Sequence, residues 1–289
     1  MTWTARTWTG TCGGSQTCWP PSRTEWGDAE TPWSFAELRS AAGTRANWDY
    51  RLLLAWVEAE VVGGLWLRMP IRDNRHLVNA EVTVAPGWRR RGVGRALLTE
   101  LDRQVEALGR STIVVAAHRA GTDAANRADP LNEPPDPRTA TLAERFGYTR
   151  AQVERRSSLT VPLDRQRRIA AETEVNRYLD GYRLLTWVNE IPPEQLPVRA
   201  RLSEAMSVDV PLGELQLGPQ AWDAARIANV VDEAAEQGRT FVETAAQDEA
   251  TGALVAFTDL VVPAHGNGNA YQWDTFVDAR TEGVALGWR

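Results

Sequence analysis

Between Arg89 and Arg95 the chain places four arginines and two glycines in seven residues, Arg89-Arg90-Arg91-Gly92-Val93-Gly94-Arg95. Guanidinium groups give charge-assisted hydrogen bonds to anions, each contributing on the order of 1.5–3 kcal/mol net. Gly92 and Gly94 carry no Cβ, so a ligand can approach the main chain and unusual dihedrals cost little. Directly after them Val93, Leu97, Leu101 and Val105 recur every four residues, the apolar stripe of an amphipathic helix. The basic loop therefore occupies the first turn of a helix. Backbone N–H groups have no intrahelical partner there, and the macrodipole adds partial positive charge. The expected guest is a phosphate or pyrophosphate.

The second chemical feature precedes the loop. Ala80-Glu81-Val82-Thr83-Val84 alternates as a half-buried strand does, and Ala85-Pro86-Gly87 ends it. Alternation puts Glu81 and Thr83 on one face and Val82 and Val84 on the other. A carboxylate on the strand that leads to an anion site is a candidate general base, acting directly or through a water. The plainer reading is a hydrogen-bonded surface glutamate. His76 is a second candidate, equally readable as a strand-end histidine.

The loop is not a Walker phosphate loop, because no Gly-Lys-Ser/Thr follows, and the third glycine of a dinucleotide fingerprint would fall at Leu97. Arg89-x-x-Gly92-x-Gly94 instead resembles the signature of the GNAT family of acyl-CoA-dependent N-acyltransferases. The resemblance spans about 34–162, is sharpest at 80–98, and returns as a softer echo in a helix ending at Gly147-Tyr148. It implies acetyl-CoA as cosubstrate and direct transfer of the acetyl group to a primary amine, with no metal. Val82, Thr83 and Val84 would pair with the pantetheine through their backbones, and a main-chain N–H beside them would serve the thioester oxygen. Arg89, Arg90, Arg91, Gly92, Val93, Gly94 and Arg95 would hold the pyrophosphate, and Glu81 would be the base. Where the family often places a tyrosine as acid to the leaving thiolate, this chain has Ala143. Tyr148 lies on the wrong side of the helix end to be assumed a substitute. The alternative is therefore a non-catalytic acyl-CoA sensor. A third reading is an α/β protein with no acyl-CoA site.

These residues need a scaffold. The pattern reads as a mixed α/β fold, a central mostly antiparallel sheet flanked by helices, and duplicated. Arg51–Glu58 and Val61–Met69 read as a hairpin with a bulge at Gly63-Gly64, followed by the motif strand Leu77–Val84, the motif helix, and a buried strand from Thr112 to Ala117. Ala120–Pro137 is a loop, Thr139–Phe146 a helix, and Gln152–Val161 a strand. Ser34 with Glu37 reads as the capping box of an early helix, and Trp3–Trp8 as a first strand.

We expect a poorly structured segment over 1–33, a GNAT-like domain over 34–162, a charged linker helix within 163–181, and a second GNAT-like domain over 182–289. In the second half Tyr182–Val188 reads as a strand. A helix from Pro192-Pro193-Glu194 to Met206 follows, then a second over Trp222–Gln237 with Ala225, Ile227, Ala228 and Val231 inward. Thr240–Ala246, Ala253–Val262 and Tyr271–Val277 read as strands. Tyr271-Gln272-Trp273-Asp274-Thr275 resembles tandem acyltransferases. Arg280-x-x-Gly283-x-Ala285 repeats the loop spacing, but Glu282 opposes an anion and the printed sequence reaches Arg289 four residues later. The expectation is an incomplete second domain unable to hold coenzyme A alone.

With 289 residues, 43% hydrophobic and 24% charged, the chain can bury about two cores. A net charge of −6 gives no support to a nucleic-acid partner. No apolar run reaches the length of a membrane span, and Cys12, Cys18 and three scattered histidines form no metal set. The expected location is the cytoplasm and the expected acceptor a small-molecule or peptide amine.

Overall fold

The computed structural model describes residues 4–7, 40, 43–58, 60–115, 142–152, 159–209, 213–264 and 269–278. The expectations for Cys12 and Cys18, the capping box at Ser34, the loop Ala120–Pro137 and the Arg280–Ala285 spacing lie outside these residues. The chain divides into two compact units, one reaching Glu154 and including Leu212–Leu217, the other holding Arg155–Pro211 and Gly218–Arg289.

The first unit is built on a sheet in the order β1-β3-β4-β5-β6. Its strands are β1 (Thr4–Thr7), β2 (Gly43–Thr44), β3 (Trp48–Val57), β4 (Glu60–Pro70), β5 (Leu77–Val84) and β6 (Thr112–Val115). Both β1 and β2 pair with β3. β3, β4 and β5 are antiparallel, and β6 runs parallel to β5. Helix α1 (Val93–Ala107) follows the basic loop and closes at Gly109, which adopts φ 62°. One sheet face and α1 form a single core of Leu53, Ala55, Leu65, Leu67, Val78, Ala80, Val93, Leu97, Leu101 and Val105. Both periods read from the sequence thus bury their apolar residues in one place.

The hairpin bulge differs from expectation. Ala55 pairs with Gly63 and Trp56 with Val61, so the extra residue is Val62. Gly63 has another duty. A Cβ built there would meet Leu97 Cδ1, Val93 Cγ1 and the Thr83 carbonyl oxygen at 3.0 Å each. Only a residue without a side chain lets α1 lie this close to β4. Residues 142–145 form a short helical stretch that stops at Gly147, with φ 79°. Of the strand expected over Gln152–Val161, the described ends at 152 and 159–161 are not extended in a ladder. Residues 213–217 return to this unit. The Glu214 amide donates to the Ala151 carbonyl at 3.1 Å, and His76 Nε2 lies 3.1 Å from the Gln216 carbonyl oxygen.

The second unit carries helix α2 (Arg165–Asn176), capped by Asp164, whose carboxylate accepts from the amides of Gln166 and Arg167. Every residue of α2 is exposed, as a solvated charged helix should be. A four-stranded antiparallel sheet follows in the order β10-β9-β8-β7, from β7 (Tyr182–Val188), β8 (Thr240–Asp248), β9 (Leu254–Val262) and β10 (Tyr271–Val277). Helices α3 (Leu196–Asp209) and α4 (Ala224–Glu236) come between β7 and β8. α3 begins at Leu196 and not at the prolines, because residues 193–195 form a turn that leads into it. On α4 Ile227, Val231 and Ala234 face inward at helical spacing, while Ala225, expected inward, is exposed. Among the described residues no helix is long and apolar enough to cross a membrane.

Candidate functional site

The site begins where β5 runs out of partners. β6 pairs with Leu77 to Ala80, so among the described residues Glu81 to Val84 are paired on the β4 side alone. Val82 and Val84 pack against the α1 core, while Thr83 is buried on the other face and Glu81 half-buried beside it. The alternation expected from sequence is present.

Pro86–Trp88 form one turn of 3-10 helix that redirects the chain towards α1. The Trp88 indole donates to Glu60 Oε1 at 3.0 Å, fixing this turn to the start of β4. Arg89 Nε donates to the Val84 carbonyl at 3.2 Å, which ties the loop back to the end of β5. The Arg91 guanidinium lies 5.1 Å from the centre of the Trp88 ring. Arg90, Arg91 and Arg95 are exposed.

Two left-handed residues shape the bend, Arg90 at φ 62° and Gly92 at φ 92°. Glycine takes that region freely, but an arginine there costs roughly 1–2 kcal/mol. Strain of this kind persists only where surrounding structure enforces it, and it concentrates at ligand sites. Gly92 is the N-cap of α1, no side chain caps the helix, and its first turn holds no acid. The amides of that first turn have no intrahelical partner, and they and the positive end of the dipole lie beside exposed Arg90, Arg91 and Arg95. A Cβ on Gly94 would lie 3.4 Å from Leu142 Cδ2 and 3.6 Å from Val84 Cγ2. That contact brings the stretch 142–145 to the loop. The seven loop residues, the end of β5 and the start of the 142–145 turn therefore converge.

The remaining candidates separate from this place. His76 precedes β5, at the end of the strand remote from the loop. Its carbonyl accepts from the Ser111 and Thr112 amides at 3.0 Å each, a structural position. The Ala143 carbonyl accepts from the Phe146 and Tyr148 amides, closing the short helix. Tyr148 packs against the α1 core with its hydroxyl buried and unpartnered. Burial first, and then the Asp102 charge, push its pKa up to about 12. Asp102 is two turns along α1 from the loop, so this phenol belongs to the helix flank.

In the second unit the structure reveals a buried charged cluster that the sequence did not announce. Arg199 of α3 donates from Nε to Glu243 Oε2 at 2.8 Å and approaches Asp259 Oδ2 at 3.8 Å. Its guanidinium also lies over the Phe257 ring, 3.2 Å from the centroid. Glu243 and Asp259 face each other across β8 and β9 and are 0% and 3% exposed. Burial raises both carboxyls to about 6 against the pull of Arg199. Among the described residues no three His, Cys, Asp or Glu side chains group as metal ligands.

A mixed sheet whose third antiparallel strand feeds an uncapped helix through a glycine-rich basic loop defines the architecture of the GNAT acetyltransferases. Residues 18–128 match the model of the acetyltransferase (GNAT) family. The chain is 36% identical over 112 residues to a mycothiol acetyltransferase of Geodermatophilus obscurus, a match covering 38% of this chain and 30% of that protein. It thus spans under a third of the curated relative's length. In fold it resembles a tandem GNAT protein from the clavulanic acid biosynthesis pathway, solved without AcCoA. That likeness has a TM-score of 0.66 and 19% identity, over 99% of this chain and 82% of the other.

Proposed function

We propose that the first unit transfers an acetyl group from acetyl-CoA to a primary amine. The observation that carries this reading is the uncapped, acid-free first turn of α1 behind exposed Arg90, Arg91 and Arg95, with Gly92 at φ 92°. Those amides and guanidiniums suit a diphosphate, together with Arg89, Val93 and Gly94. Among the described residues Val82 to Val84 pair on the β4 side alone, and their other backbone groups suit the pantetheine, which would add to the sheet as a further strand. A main-chain N–H on that open side is the oxyanion donor.

Glu81 is the base of this reading. The acceptor reaches the site as an ammonium, and Glu81 or a water held by it takes one proton. The freed nitrogen lone pair forms the N–C bond to the thioester carbonyl, the nitrogen gives its excess proton to solvent, the C–S bond breaks, and the electron pair leaves on sulfur. With Ala143 in place of an acid, the thiolate departs unaided and takes its proton from water. That is chemically acceptable for a thiol of pKa about 8.5. Ala143 also supports a second reading, an acyl-CoA-binding regulator without turnover. The Arg280–Ala285 spacing, with Glu282 inside it, is a poorer anion loop, so the activity is assigned to the first unit and not the second.

Acetyl-CoA titration by calorimetry tests the binding step, and thiol release with a panel of amines tests turnover. Gly92→Val is expected to lower affinity for acetyl-CoA at least about tenfold, because a β-branched residue resists φ near +90°. The fold should remain, since a Cβ at Gly92 meets nothing within 4 Å. Undiminished binding by this variant would refute the placement of the loop. Binding without thiol release would select the regulator.

A further inference from the structure

The turn Pro86–Trp88 is tied to the start of β4 twice. The Ala85 amide donates to the Val62 carbonyl at 3.0 Å, and the Trp88 indole donates to Glu60 Oε1 at 3.0 Å. Val62 is the residue that the bulge leaves out of the β3 ladder, and Glu60 is the first residue of β4. Trp88 is half-buried and packs against the α1 core, so its ring is held both by that contact and by its nitrogen. Over this fixed ring lies the Arg91 guanidinium, 5.1 Å from the centre, on a residue that is exposed.

We propose that Trp88 is a positioning residue of the anion site: its ring holds Arg91 ready for a ligand phosphate, and Glu60 keeps the ring in place. The inference rests on the reading that this loop binds acetyl-CoA. Arg91 directly precedes Gly92, the N-cap of α1, so the held charge belongs to the residue next to the helix's positive end. Arg90 and Arg95 are exposed on the same bend, and like charges so close in sequence repel one another. The attraction of a cation for the indole offsets that repulsion at Arg91. A guanidinium over a ring keeps its N–H donors in its own plane, where a phosphate can take two of them. An arginine loose in solvent gives up rotamer freedom when it closes on an anion. One already resting on a fixed ring has less to lose, and that difference appears as affinity.

The test is a double-mutant cycle read by calorimetric titration of the full chain with acetyl-CoA. Trp88→Leu is expected to weaken binding about fivefold and Arg91→Ala about tenfold. The double variant should bind no more weakly than Arg91→Ala alone, because the ring acts through that arginine. Losses that multiply would give Trp88 a merely structural role and overturn the inference. Tighter binding by Trp88→Leu would overturn it too, since the ring would then be withholding Arg91 from the anion. Glu60→Gln keeps an acceptor for the indole and should stay within about twofold of wild type, whereas Glu60→Leu should approach Trp88→Leu. Equal losses in the two Glu60 variants would remove Glu60 from the arrangement. Melting curves check folding; Glu60 is exposed, so Glu60→Leu with Arg91→Ala carries the same cycle if Trp88→Leu proves unstable. Wild-type binding is measured first. Its absence removes the acyltransferase reading and the inference together, while multiplying losses remove the inference alone.

Discussion

Glu243 and Asp259 stand opposite each other on neighbouring strands and share one guanidinium, so a net negative charge is enclosed in the second unit. Two carboxylates side by side in a dry place cannot both ionise cheaply. Both are raised to about 6, from ordinary values of 4.5 and 3.8. The folded chain therefore retains protons between about pH 4 and 6 that the unfolded chain gives up. Their contribution to stability is complete below pH 4 and is lost as the pH climbs through 6. Glu243→Gln keeps an acceptor for Arg199 Nε and removes the excess charge. It should raise the melting temperature at pH 7.5, by the equivalent of about 2 kcal/mol, and change it little at pH 4.5. An equal loss of stability at both values would mean that the cluster is a net-favourable ion network.

At the scale of elements, the contact between α1 and β4 sets where the anion loop sits. Gly63→Ala would press a methyl against Leu97, Val93 and the Thr83 carbonyl, where 3.0 Å of room exists. The carbonyl belongs to β5 and cannot yield, so α1 must shift. The expected cost is about 1–3 kcal/mol in a chemical-denaturation experiment, accompanied by weaker acetyl-CoA binding. A variant as stable as wild type would show that the helix has slack.

That contact also explains what the sequence could and could not disclose. β5, the loop and α1 were legible because each buries one clean apolar period, two for the strand and 3.6 for the helix. Gly63-Gly64 read as a bulge because glycine in a strand has two physical uses, and only coordinates distinguish a bulge from a close helix approach. Pro192 and Pro193 read as a helix's first turn because proline is tolerated there, whereas in the structure residues 193–195 form a turn before Leu196. Arg199 and Glu243 are not legible as buried because a charged side chain reads as solvent-facing until its partner is seen. On α3 Arg199, Ala200, Leu202 and Ser203 are the buried residues, a set with no apolar period to reveal it. Arg90 gave no hint of its positive φ, since nothing in an arginine announces a left-handed bend.

At the scale of the whole molecule, the path of the chain has a consequence for how the protein can be taken apart. Because Leu212–Leu217 belongs to the first unit, the polypeptide passes between the units three times. The Glu214 amide and the Gln216 carbonyl tether that short excursion to Ala151 and His76. A protease that nicks the exposed α2 would therefore leave residues 213–217, now on the C-terminal fragment, still hydrogen-bonded inside the first unit. The two fragments should migrate together on native gel filtration and part only in denaturant. Fragments that drift apart in plain buffer would mean the stitch at 212–217 does not hold. If they stay together, neither half can be regarded as an independent module, and residues 1–154 produced alone would lack a piece of their own framework.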